Sequence, residues 1–246
     1  MANWQDPQTT GVSAATVGVP RAARDAGLRS YMLSVYNYMA SGVLLTGIIA
    51  LLFAPYAGDV LLSQSGRGMS ALGWIVTLSP LGIVFAMSFG AQRMRTGTLQ
   101  LLFWAFASLM GLSMSTLFLV YTGTSIAQTF FATAAAYMGL SLYGYTTKRD
   151  LSGFGTFLIM GVVGILVAMV INMFLQSSAM ALAISAIGVL LFAGLTAYDT
   201  QRIKSMYFYV QGTEMAGKTV ILGALTLYLD FINMFQFLLS FMGDRR

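Results

Sequence analysis

The sequence predicts an all-α integral membrane protein of seven transmembrane helices, with the last helix central in the bundle. Two observations carry this reading. Hydrophobic residues make up 57% of the 246 and charged residues only 9%, where a soluble domain carries about 25%. The charges are also clustered, so that long stretches contain no Asp, Glu, Lys or Arg at all. A mean hydropathy of +0.77 excludes an ordinary soluble enzyme and a disordered chain. The absence of Cys and His removes disulfides, thiol nucleophiles, imidazole catalysis and the commonest zinc ligand. Chemistry in such a chain must run on carboxylates, hydroxyls, amides and a few cations.

The elements follow from the gaps between charges. Residues 30–58, 68–92, 96–147 and 151–198 lack ionisable Asp, Glu, Lys or Arg. A helix rising 1.5 Å per residue needs about 20 residues to cross ~30 Å of hydrocarbon. The first two gaps hold one span each. The third and fourth, 52 and 48 residues long, hold two each, divided near Tyr121–Ser125 and Gln176–Ser178. A final apolar stretch from Thr219 to Met242 contains Asp230. The expected spans are 33–54, 71–91, 99–121, 126–146, 154–175, 179–201 and 219–242, forming one transmembrane domain over residues 31–246. Residues 1–30, polar and with Pro7, Pro20, Arg21, Arg24 and Arg29, are expected to be a disordered cytoplasmic tail, with an interfacial helix from Arg21 as the alternative. They lack the apolar core of a signal peptide. Unbroken apolar runs such as Leu151–Phe174 are unlike the alternating ~10-residue strands of a membrane barrel.

Orientation follows from the basic residues. With the N-terminus cytoplasmic, the inner segments hold ten (Arg21, Arg24, Arg29, Arg93, Arg95, Lys148, Arg149, Arg202, Lys204, Lys218) and the outer segments three (Arg67, Arg245, Arg246). This asymmetry accounts for the pI near 9.6 without a nucleic-acid partner; the partner it implies is the lipid bilayer. An odd helix count places the C-terminus outside, whereas a re-entrant last segment would return it to the cytoplasm.

Six of the eight acids lie in tails or loops. Asp199, in Leu195–Gln201, and Asp230, in Leu227–Asn233, do not. An Asp near the bilayer centre costs roughly 2.5–3.5 kcal/mol on insertion scales, so it must be protonated, paired or bound to an ion. No basic residue lies inside a span to neutralise Asp230. Two carboxyls sharing a low-dielectric site cannot both ionise easily, so one proton is held between them. Such a pair responds to protons and can bind a hard cation through oxygen, with Asn233 on the face of Asp230 and Tyr198 and Tyr228 as neighbouring polar groups. The alternative is structural: Asp199 caps a helix end and bonds Arg202, and Asp230 is a neutral acid held by backbone and Asn233. Counting along the helices from their expected ends places the two carboxyls at different depths, unless the last span is tilted or shifted.

These segments resemble the Bax inhibitor family, the transmembrane Bax-inhibitor-motif proteins, and specifically its bacterial branch. The resemblance covers about residues 28–242. Its carriers are Leu81–Ser88, Gly111–Thr122, Tyr143–Leu151, and above all Ala-Tyr-Asp-Thr-Gln at 197–201 and Leu-Thr-Leu-Tyr-Leu-Asp-Phe-Ile-Asn-Met-Phe at 225–235. It implies a seven-helix fold with a central last helix, and a pH-sensitive Ca2+ leak in which Asp199 and Asp230 form the sensing pair. It also implies an Arg after the second helix that latches the pore to the pair; Arg93 is the nearest match, with Arg95 two residues on. An acid that some members carry before the Leu-Gly-Ile-Val-Phe run is replaced here by Pro80. The expected function is a Ca2+ leak of the bacterial inner membrane with Ca2+ and protons as its ligands, no resident cofactor and no enzymatic activity. Competing readings are a regulatory protein that binds a membrane protease or another membrane protein, a secondary transporter with Asn37, Asn172, Ser113 and Ser115 at a solute site, and, remotely, an intramembrane aspartyl protease. The last would carry Gly-x-Gly before its second Asp, where Tyr228-Leu229 stands here.

Overall fold

A computed structural model describes residues 21–63 and 68–246, with side chains from residue 25 onward. Eight helices run through these residues: α1 (Arg21–Leu61), α2 (Ala71–Gly90), α3 (Thr96–Met114), α4 (Leu117–Val120), α5 (Gly123–Thr146), α6 (Ser152–Leu175), α7 (Ser178–Val210) and α8 (Met215–Met242). The four-residue α4 continues the line of α3, so there are seven long helices. Six of them are long and apolar enough to cross a membrane, taking α3 and α4 together. The remaining one, α5, has the length, but Thr, Ser and Tyr along it lower its hydropathy. Its buried side is built from Ser125, Thr129, Thr133, Tyr137 and Ser141, a hydroxyl stripe at helical spacing that faces the protein. The chain is an all-α membrane protein, as the composition predicts, and the only strand-like pairings among the described residues are the isolated bridges Leu62–Met69 and Tyr121–Arg245.

The expected spans match the helices closely except at the ends of α1 and α7. The tail expectation for residues 1–20 lies outside the described residues; residues 21–30 form the first turns of α1. At 41 residues, α1 is about 60 Å long, twice the hydrocarbon thickness. Its first turns bury Leu28, Tyr31, Met32 and Val35, an i, i+3, i+4, i+7 stripe, and Tyr31 packs on Tyr207 of α7 with ring centroids 5.4 Å apart. The two helices thus prolong each other beyond the span. Charge counting stops at the membrane face and does not register this contact.

α8 is the centre of the bundle. It packs against α7, α1, α5 and α3 and buries residues on every side, from Thr219 and Val220 through Leu227 and Phe231 to Leu239. An all-round apolar helix is stable only where other helices surround it. α6 is peripheral, burying only Gly155, Leu158 and Ile165, and packs on α7.

α8 runs the length of the bundle and is long and apolar enough to cross a membrane. Lys218, near its start, donates to the carbonyl of Gln92 between α2 and α3. Its other end is tied to the α4–α5 turn: Thr122 N–H donates to Asp244 O, Arg246 N–H to Val120 O, and Asp244 N–H to Ser125 Oγ. The C-terminus thus lies at the end of the bundle opposite the α2–α3 turn.

Close helix approach depends on small residues at particular points. A Cβ on Gly144 of α5 would run into the carbonyl of Ala197 on α7, and one on Gly155 of α6 into the Tyr198 ring. Forcing bulk into packed positions costs about 1–3 kcal/mol. Gly144→Leu is therefore expected to lower the melting temperature of the detergent-solubilised protein by several degrees, whereas Gly139→Leu, where a Cβ meets open space, leaves it unchanged; scanning fluorimetry compares the two.

Candidate functional site

Four consecutive residues of α7 reach four different neighbours, because helical residues are spaced 100° apart. The Tyr198 ring packs on Gly155 of α6. Asp199 turns to α8. Thr200 meets Ser141 of α5, with hydroxyl oxygens 3.0 Å apart. Gln201 clamps the α5–α6 connection, accepting from Leu151 N–H at 2.9 Å and donating to Arg149 O at 2.8 Å. One helical turn thus links α5, α6 and α8. Lys204 adds a bond to the Tyr145 carbonyl at 2.7 Å, at the C-terminal end of α5, where a cation suits the helix dipole. Beside this end, in the α5–α6 turn, hydrogen bonds from Ser152 hold the exposed Asp150 carboxyl below the usual carboxylate range.

Asp199 and Asp230 are 7% and 4% exposed, and their side chains lie within hydrogen-bonding and electrostatic range of each other. An ionised carboxylate only accepts hydrogen bonds, so a bond between the two requires that one of them carry a proton. The depth mismatch disappears because α7 runs on to Val210. Asp199 lies eleven residues before that end and Asp230 fifteen after the start of α8 at Met215, about 17 and 22 Å from the shared turn. Asp230 Oδ2 is buried with no hydrogen-bond partner among the described residues. The cation acting on Asp199 is Arg202, one turn further along α7.

The other expected site residues are placed elsewhere. Arg93 and Arg95 are exposed around the α2–α3 turn. Asn233 donates to its own helix, to Leu229 O at 2.8 Å, rather than to Asp230. Tyr198 lines a superficial cavity with Lys148, Arg149 and Gln201. Tyr228 is fully buried on the opposite side of α8, edge-on to Phe103 and Phe106. Its hydroxyl is 2.6 Å from Thr46 Oγ1, which is 2.8 Å from Ala107 O. The Thr46 proton goes to that carbonyl, so Tyr228 donates and fastens α8 to α1 and α3.

Residues not singled out from the sequence complete the site. Tyr137 of α5 donates to Leu227 O at 3.3 Å and lies within electrostatic range of Asp230, Tyr36 and Asp199. Tyr36 of α1 meets Ser141 at 2.5 Å, and Ser141 meets Thr200. This hydroxyl relay runs from α1 through α5 to the residue after Asp199. Tyr36, Tyr137 and Ser141 also line an apolar cavity of about 800 Å3 between α1 and α5. The polar stripe of α5 was the available signal: its residues recur at intervals of four on a membrane helix.

The pair supplies at most four carboxylate oxygens, and among the described residues no three acidic groups cluster. Ca2+ takes six to eight oxygens.

Fold and site define a polytopic helical membrane protein whose most buried helix carries one of two adjoining buried carboxyls. The chain belongs to the Bax inhibitor family: the model of that family described as inhibitor of apoptosis-promoting Bax1 matches residues 28–246. Similar proteins include an uncharacterized protein of Rickettsia prowazekii, 48% identical over 90% of this chain and 92% of the relative. The inner membrane protein YbhL of Escherichia coli K12 is 45% identical over 90% of this chain and 94% of its own length.

Tyr228→Phe removes one neutral hydrogen bond and leaves Thr46 its bond to Ala107. It should destabilise the protein by about 1 kcal/mol, read as a modest fall in melting temperature, while Thr46→Val, which loses both bonds, should cost more.

Proposed function

We propose that this protein is a proton-controlled cation leak, with Ca2+ as a permeant ion and Asp199 and Asp230 as the controlling pair. The observation that supports this most directly is the approach of two buried carboxyls to each other in the core of a membrane bundle. Holding an acid there is costly, and Arg202 acts on Asp199 while no cation acts on Asp230. Its state depends on one shared proton. Removing that proton leaves two like charges in contact, which repel and offer oxygen ligands to a divalent cation. The pair joins the innermost helix to α7, so its separation would loosen the centre of the bundle. The hydroxyls of Tyr36, Ser141 and Thr200 form a polar margin that adjusts to either state.

The basic residues favour a cytoplasmic N-terminus, and the similarity to YbhL supports residence in the bacterial inner membrane. Asp199 then lies on the cytoplasmic half of α7, and Asp230 near the middle of α8. Arg202 rather than Arg93 is the cation placed to bias the pair.

The test is Ca2+ flux into liposomes between pH 6 and 8. Asp199→Asn and Asp230→Asn should each abolish the pH dependence, leaving flux at the two limits within about twofold, while Tyr228→Phe retains it. Unaltered pH dependence in both aspartate variants, with protein that is monodisperse and correctly inserted, would overturn the paired-carboxyl mechanism.

A further inference from the structure

The other polar residues of α8 lie along a second cavity that opens between α6 and α8. It has a volume of about 450 Å3 and is lined by Asn172 of α6, Ser185 of α7, and Asn233, Gln236 and Ser240 of α8, among apolar neighbours. The three α8 residues are spaced i, i+3, i+7 and share one face. Asn233 is half-buried, and Gln236 and Ser240 are exposed. α6 packs on α7 but leaves this face of α8 uncovered. Some of the polar capacity is used internally: Ser185 donates to Ser240 at 3.0 Å, Asn172 Oδ1 accepts from Ser177 N–H at 3.0 Å, and Asn233 donates to Leu229 O. The Gln236 amide and the Asn233 carbonyl oxygen remain directed to the crevice.

An amide facing hydrocarbon without a partner costs several kcal/mol. Two amides and two hydroxyls converging on one crevice are therefore a poor surface for acyl chains and a good one for water, which needs two to four polar partners. Depth is the second consideration. Asn233 lies nine residues from the α8 end at Met242, about 14 Å, or near the middle of ~30 Å of hydrocarbon. It is also one turn from Asp230.

We infer that this crevice is a water-filled vestibule, open at the end of the bundle that carries the C-terminus, which brings water and small hydrated cations as far as Asn233. It takes neutral or cationic solutes through carbonyl and hydroxyl oxygens, since no basic residue lines it. Its use as the outer approach to Asp230 rests on the leak reading; its hydration does not. Phe192 and Phe237, stacked with centroids 5.7 Å apart, form part of the apolar wall of the crevice.

The chain has no Cys, so single cysteines report without background. Gln236→Cys, Ser240→Cys and Asn233→Cys, in intact protein in liposomes or inverted vesicles, are treated with a membrane-impermeant thiol reagent on one side at a time. Leu182→Cys and Val170→Cys, on exposed apolar positions of α7 and α6 outside the lining of the crevice, serve as lipid-facing controls, and labelling after denaturation gives the total. The expected result is modification of Gln236→Cys and Ser240→Cys at least tenfold faster than the controls, from the C-terminal side only, with Asn233→Cys slower than both but above the controls. Reaction of Gln236→Cys at the rate of the controls, or from the opposite side, would overturn the vestibule. Labelling as expected in a protein that conducts no cation supports the vestibule and removes the leak reading instead.

Discussion

The fold turns on a requirement of register between α7 and α8. A carboxyl placed midway along the most enclosed helix has to find a partner at its own level, and the partner available is another carboxyl. Their bond needs a proton and needs the two helices to be set to within about one turn of each other. The short turn at residues 211–214 fixes that setting. Around it the other contacts fall into place. Thr200 and Gln201 position α5 and its loop on the same turn of α7, and Gly144 and Gly155 let the flanking helices approach.

The two aspartates also divide α8 into faces with different work. Tyr228 and its bond to Thr46 serve cohesion with α1 and α3. Asp230 faces α7, and Asn233, Gln236 and Ser240 look toward the crevice beside α6. Three polar groups within one and a half turns thus have three separate environments. Proximity in sequence to the acid, which suggested a single polar site, does not translate into contact, because 100° per residue carries neighbours around the helix.

Most of the architecture was legible because membrane insertion acts on composition. Charge-free gaps give the spans, and their interruptions at Tyr121–Ser125 and Gln176–Ser178 coincide with turns between helices. The buried pair was legible for the same reason, as the two acids that no solvent accounts for. What could not be read was lateral. The extensions of α1 and α7 follow from Tyr31 meeting Tyr207, and the hydroxyl relay through Tyr36, Ser141 and Thr200 joins three helices. Such contacts depend on rotation about helix axes, which hydropathy does not encode. Arg93 illustrates the converse: its sequence position between α2 and α3 was visible, but nothing there brings it to the pair, while Arg202, equally exposed, acts on Asp199 from one turn along α7.

The central helix is also the last to be made. During synthesis the chain emerges from its N-terminus, so α1 to α7 enter the bilayer before the element they surround. Until α8 arrives, Thr46 has no phenol to accept from, Asp199 has no partner, and the walls formed by α1, α3, α5 and α7 enclose lipid or nothing. The nascent protein is therefore a loose collar that tightens in one late step, and the final residues fasten it when Asp244 and Arg246 pair with the α4–α5 turn. A chain interrupted before α8 would be an inserted but unconsolidated set of helices, the kind of species on which membrane quality control acts.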